Sequence, residues 1–260
     1  FDTSDRFNFA QFNLLLTPSE RRGLYNQTHF EITDNTTWYF KGLYNEREST
    51  NQAAPEPIFL GPEAGTGNAY ADNIFISRTN PYNPFGIDFI STGPDANLIF
   101  FGRRPIEGGA RVFNQEVDTW YIATGFEGNF DLGARKLYWD LNYANSQNKA
   151  EQTNYGSYNI RRIAQALGPV DACNADPNCV PLNYFGGQGA GGGTITPEML
   201  AYIQPIIRDS SEQELELYSA NLTGDLFELP AGALAFAAGY EYREYSGSYQ
   251  PDALTVAGEY

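Results

Sequence analysis

Residues 211–246 read SEQELELYSANLTGDLFELPAGALAFAAGYEYREYS, and this stretch decides the fold class. Its second half alternates. Leu234, Phe236, Ala238, Tyr240 and Tyr242 fall on one parity; Ala235, Ala237, Gly239, Glu241 and Arg243 fall on the other. A period of two puts each set on one face of a β-sheet. Between the halves stands Leu229-Pro230-Ala231-Gly232, where proline presets φ and glycine accepts a positive φ, so the chain reverses. The stretch is therefore a hairpin with strands over 211–228 and 233–246. One face is apolar and aromatic, the other small and charged. A soluble sheet shows the same contrast, so the environment must be read from how the pattern recurs.

It recurs twice upstream. Strands over 21–33 and 36–49 flank the turn at Asp34-Asn35. Trp38, Phe40, Gly42 and Tyr44 share one parity of the second strand, and Tyr39, Lys41, Asn45 and Arg47 the other. Strands over 113–130 and 136–152 flank residues 131–135. Here Trp120, Ile122, Thr124 and Phe126 oppose Tyr121, Ala123, Gly125 and Glu127, and Leu137, Trp139, Leu141 and Tyr143 oppose Tyr138, Asp140, Asn142 and Ala144.

Two long segments, 50–112 and 153–210, separate the hairpins. The first is rich in breakers, including Pro55, Pro57, Gly61-Pro62, residues 80–86 (NPYNPFG) and Gly108-Gly109, with strand-like pieces at 74–77 and 98–101 expected to pair as a small hairpin. The second carries Cys173 and Cys179, the glycine run 186–193 and a helix start: Thr196 as N-cap, Pro197 at the first position and Glu198 in the first turn. Residues 1–20 read as a loop or strand end, and 247–260 as the start of another loop.

Turns of a few residues thus alternate with loops of about sixty, and the strands exceed the usual length of roughly 5–6 residues. Short turns at one end, long loops at the other, and apolar/polar alternation mark an outer-membrane barrel. The fold class expected is all-β: an antiparallel transmembrane β-barrel fragment of about six long strands, in three hairpins with short periplasmic turns, plus two long extracellular loops with short helical pieces. A soluble β-sandwich explains the alternation but not these strand and loop lengths. Lipid offers the backbone no hydrogen bonds, so spanning strands must close. Lys41, Arg47, Glu127, Asp140, Asn142, Glu241 and Arg243 then belong to the barrel's interior wall, and Tyr240 and Tyr242 to an outer aromatic girdle.

Composition narrows the class further. The 260 residues carry a formal net charge of −16, which argues against nucleic acid as a partner. Aromatic residues make up 15 %, too many for a disordered chain. No run approaches the ~18 apolar residues of a transmembrane helix. Phe1 opens the sequence without a basic and apolar leader, so a mature or excised chain is expected. Cys173 and Cys179 lie close together in a loop, which points to a small disulfide and an oxidising compartment.

No constellation announces an enzyme, a cofactor or a metal centre. His29 sits mid-strand as a wall residue, and the glycine run lacks the Lys-Ser/Thr of a phosphate loop. Asp171, Asn174, Asp176 and Asn178 supply oxygen ligands without the spacing or closing glutamate of an EF-hand. Ligand capture belongs to external loops on a rigid scaffold. The candidates are Tyr82, Asn83 and Phe85, with Arg103 and Arg104 at the return of the same loop. Aromatic and amide groups suit sugars, and arginines suit anionic chelates. The competing reading is that residues 80–86 only shape the loop.

Several stretches resemble the barrel region of TonB-dependent outer-membrane receptors: TPSERR at 17–22, TDNTT at 33–37, APEP at 54–57, NPYNPFG at 80–86, VPLNYFGG at 180–187, and GDLFELPAG at 224–232 leading into AAGYEYR at 237–243. The resemblance implies a barrel of about 22 strands with a plug in its lumen. It also implies uptake of a scarce nutrient (siderophore, cobalamin, oligosaccharide or peptide) across the outer membrane of a Gram-negative bacterium, energised by the TonB complex. The sequence shows no plug or TonB box, and six strands fall short of the eight in the smallest bacterial barrels. A receptor fragment is therefore expected, its partners being outer-membrane lipid, the plug and remaining barrel, and TonB through that plug. The alternative is a non-transporting barrel, such as a passive porin or a surface adhesin.

Overall fold

A computed structural model describes residues 7–187 and 193–260. Ten strands and five α-helices are used below. In chain order they are β1 (Ser19–Thr33), β2 (Thr36–Ala53), β3 (Ile58–Leu60), α1 (Ala69–Asp72), β4 (Phe75–Ile76), β5 (Phe89–Ile90), β6 (Phe101–Arg103), β7 (Arg111–Leu132), β8 (Arg135–Tyr155), α2 (Ile160–Leu167), α3 (Val170–Asn174), α4 (Pro197–Ile203), β9 (Ile207–Leu229), β10 (Gly232–Gln250) and α5 (Ala253–Val256).

The six long strands form one antiparallel sheet in the order β1-β2-β7-β8-β9-β10, each beside its sequence neighbour among the long strands. All three expected hairpins are present, with each strand running a few residues past its expected end. Gly133 and Gly232 hold positive φ (66° and 126°) at the second and third turns, where a side chain would be strained. A bulge opposite Leu234 and Ala235 leaves Leu226 as an extra residue near the end of β9.

Register fixes the faces. One row reads Trp38, Phe126, Leu141, Ala220 and Tyr240 across β2, β7, β8, β9 and β10. The next, on the same face, reads Phe40, Thr124, Tyr143, Tyr218 and Tyr242. All three tryptophans, Trp38, Trp120 and Trp139, lie on this apolar face. Among the described residues nothing covers much of it: Phe126, Leu141, Tyr218 and Tyr240 are exposed. Among the described residues no strand pairs with the outer edge of β1 or β10, and β1 is exposed along its whole length.

The apolar core lies elsewhere. Ile58, Leu60, Ile74, Ile76, Ile163, Leu167, Leu182, Tyr184, Met199 and Ile203 pack into one cluster drawn entirely from the two long loops. These segments are not the irregular excursions the breakers suggested. They fold together into a cap with its own core. Helix α2, not foreseen, supplies Ile163, Ala166 and Leu167 from one face. Helix α4 starts as expected, Thr196 capping the Met199 amide. The pieces at 74–77 and 98–101 do not pair as a hairpin. β4 pairs with β5, and β6 pairs with β3. Ile58 and Leu60 are fully buried while Phe59 between them is exposed, so β3 competes successfully for β6.

The segment after β10 joins the same body. The Ile160 amide donates to the Glu259 carbonyl, the Glu259 carboxylate accepts from Asn159 and from Arg161 at 2.6 Å, and Asn68 donates to the Gly258 carbonyl. Cys173 and Cys179 form a disulfide, with Cys173 buried. Among the described residues no helix is long and apolar enough to cross a membrane, which says nothing of strands.

Candidate functional site

The sheet face opposite the aromatic rows carries a connected polar surface. Lys41, Arg47, Glu127, Asp140, Asn142, Glu241 and Arg243 all lie on this one face. The Tyr39 hydroxyl donates to Asn142 Oδ1 at 2.5 Å. Asn142 Nδ2 donates to Asp140 Oδ2 at 2.5 Å and to Ser219 Oγ at 3.0 Å. Asn221 Nδ2 donates to the same Asp140 oxygen at 2.8 Å. One carboxylate thus gathers donors across β8 and β9, and Tyr39 extends the chain to β2. The Lys41 ammonium lies 5.7 Å from the Tyr39 ring centre, close enough for a cation–π attraction.

A glycine makes this possible. Gly125 lies between Tyr39 and Asn142 in register, and a Cβ there would stand 2.8 Å from the Tyr39 ring and 2.2 Å from the Leu141 carbonyl oxygen. Glu127 faces Asp140 directly across β7 and β8. Like charges in that position repel, so the pair favours a cationic group against the wall. Elsewhere Arg47 donates to Ser49 and Gln115, and Arg243 pairs with Glu241 at 2.7 Å. His29 shares the face, within 3.3 Å of the Gln27 amide.

The loop residues singled out from sequence have separate surroundings. Asn83 donates to the Ser77 and Ile87 carbonyls and accepts from the Phe85 amide. Asn80 likewise accepts from Tyr82 and donates to the Ala166 carbonyl. The two asparagines fix residues 80–86 through side-chain bonds to nearby backbone groups. Phe85 remains 62 % exposed, its ring edge-on to Phe89 and Phe185, and Phe185 continues the contact to Phe101 and so to buried Tyr184. Tyr82 is at the surface.

Arg103 is not at the surface. It pairs with Glu107 inside the cap and donates to the Asn183 and Tyr184 carbonyls and the Thr194 hydroxyl. Arg104 donates to the Pro55 carbonyl and covers the Phe7 ring. Tyr82, Asn83 and Phe85 therefore share one turn, whereas Arg103 sits in the cap's framework and Arg104 at its base. Of the glycine run, residues 188–192 lie outside the described residues. Asp176 accepts from the Asn178 amide and from Gln165, holding the disulfide loop against α2.

The junction of cap and sheet holds Glu56, which the sequence reading passed over. Burial pushes its carboxyl above the usual range, against weaker opposing bonds from Ser157 and the Tyr158 amide and the charge of Arg111. One carboxylate oxygen has no hydrogen-bond partner among the described residues. Burial also raises the Tyr158 phenol, whose hydroxyl reaches the Pro105 carbonyl. Sequence spacing gives no sign of this meeting, because it joins residues about a hundred positions apart.

A comparison with protein-family models, with curated proteins and with solved structures finds no match.

Proposed function

We propose that the six-stranded sheet is a wall segment of an outer-membrane β-barrel, and that the barrel is a receptor importing a scarce nutrient with energy delivered through TonB. The observation that carries the membrane reading is an oblique border on the aromatic face. On β2 and β7, Tyr44 is followed by Glu46 and Trp120 by Asp118, and these acids share a row. On β9 and β10, Tyr218 is followed by Glu216 and Tyr242 by Glu244, which share a row aligned with Ile122. The border has moved four residues, from Asp118 to Ile122, ~13 Å along a strand over ~14 Å of sheet. A level boundary crossing these strands requires a tilt of about 40°, within the range of membrane barrels.

The band has the right height. From Leu24 to Ile32 on β1, and from Leu234 to Tyr242 on β10, it spans ~27 Å of strand. At that tilt its height is about 21 Å, against ~25 Å for outer-membrane barrels. Polar tips point out of it: Trp120 Nε1 donates to Gln147, and the Tyr218 and Tyr242 hydroxyls to Glu216 and Glu244. Trp38, inside the band, donates to Thr124, so its own N–H is not bare toward hydrocarbon.

The wall opposite is polar, as an aqueous or plugged lumen requires, and the open edges of β1 and β10 call for neighbouring strands. Transport is supported by that polar wall, by the folded external cap and by the resemblance of the quoted motifs to TonB-dependent receptors. The alternative is a non-transporting barrel. Deleting the gene, and separately the energising complex, separates the two. Equal loss of uptake of the same nutrient supports the receptor. Loss with the gene alone, uptake surviving without the complex, indicates a passive pore.

A further inference from the structure

A cleft of about 650 Å³ opens on the cap between α2, the disulfide loop and α4. Its charged lining is divided. Arg161 and Arg162 stand on α2, while Asp176 stands on the disulfide loop and Glu198 on α4. Gln165 ties the walls together, donating to Asp176 Oδ2 at 3.1 Å and accepting from the Tyr202 hydroxyl at 2.9 Å. Arg162 donates one amino group to the Tyr202 carbonyl and lies over the Tyr202 ring.

The walls are fixed before anything binds. Ile163, Ala166 and Leu167 root α2 in the core, Met199, Tyr202 and Ile203 root α4, and the Cys173–Cys179 bond closes the loop carrying Asp176. Both carboxylates hold their charge. The Asn178 amide foremost, with help from Gln165, holds Asp176 below the usual range, and the Thr196 hydroxyl does so for Glu198. Arg162 acts on Asp176 through space, yet the two make no ion pair. Opposite charges held apart across a preformed cleft are an arrangement for a bridging ligand.

We infer that this cleft binds zwitterionic ligands of the amino-acid or short-peptide class, with a carboxylate toward Arg162, beside Arg161 that Glu259 already pairs, and an ammonium toward Asp176 and Glu198. A lone anion would meet two carboxylates there, and a lone metal ion two guanidiniums. A neutral polyol would leave the divided charge unanswered. The inference stands on the cap alone and does not depend on the sheet lying in a membrane.

Equilibrium dialysis of the full chain against random-sequence tripeptides with free termini tests it, with retained peptide measured by amino-acid analysis. The expected result is saturable retention, at least tenfold weaker for the same peptides N-acetylated and C-amidated, and at least tenfold weaker in Arg162→Gln. Because Arg162 also braces α4, Glu198→Gln at the cleft rim is the second variant, and it too weakens retention severalfold. Equal retention of the blocked peptides, retention unchanged in Glu198→Gln, or no saturable retention would each overturn the assignment.

Discussion

Arg103 and Glu107 form an ion pair inside the cap, with side chains only 8 % and 9 % exposed. The Glu107 oxygen that accepts from Arg103 also accepts from the Thr194 and Ile195 amides. The first long loop thereby clamps the second. Removing one partner of a buried pair leaves the other charge uncompensated, typically at a cost of about 3–5 kcal/mol. Arg103→Ala is therefore expected to lower the urea midpoint for tryptic cleavage in the cap, measured by pulse proteolysis. Arg103→Met with Glu107→Leu is expected to lose less, because no lone charge remains.

Glu56 gives a pH-dependent test. Its carboxyl is held above its ordinary value of 4.5, so the folded cap binds that proton more tightly than the unfolded chain does. Ionised Glu56 thus opposes folding above its raised pKa, and the penalty disappears as pH falls below 4.5. Glu56→Gln is expected to raise the cap's urea midpoint at pH 7 and to match the parent at pH 4. A variant less stable than the parent at pH 7 would contradict this sign.

The disulfide closes a short loop, worth ~2 kcal/mol in the chain-entropy model. Replacing Cys173 and Cys179 together by serine is expected to destabilise the cap by about that amount while leaving the sheet's far-UV circular dichroism unchanged. The serine at buried position 173 adds a further polar cost.

Ile122 and Ala123 are neighbours on opposite faces of β7. Ile122→Arg places a charge on the proposed lipid face, at a cost of roughly 2–4 kcal/mol near mid-bilayer. In the whole barrel that contains this chain it is expected to reduce folding yield in vesicles sharply. Ser219→Lys, on the polar face, is expected to fold with close to parental yield. Heat-modifiable mobility in gels reads both.

The sheet was legible in the sequence because strand alternation is local. Each residue's face follows from its parity, so Tyr39 and Asp140 were assigned to one face correctly. Tight turns such as Asp34-Asn35 fixed the hairpin register nearly as well. The cap was not legible, since its core joins Ile58, Tyr158 and Leu182 from segments that show no period of their own. Arg103 illustrates the consequence: a charged residue in a breaker-rich loop reads as exposed, and only the folded loop encloses it. Arg161 and Arg162 went unnoticed for the related reason that α2 is a short helix whose partners are all distant. Asn83 shows a third case, in which a residue suited to ligands spends its hydrogen bonds on its own turn.

The placement of the aromatic face against lipid is tested most directly by tryptophan quenching, because all three tryptophans lie on that face. The whole barrel that contains this chain is folded into bilayers of phosphatidylcholine carrying bromine at defined acyl depths, with Trp38, Trp120 or Trp139 retained as its single tryptophan. The account predicts that all three are quenched, Trp120 most by bromine near the headgroups and Trp38 by deeper bromine. Blue-shifted emission that no brominated lipid quenches would place the face under protein and contradict the account.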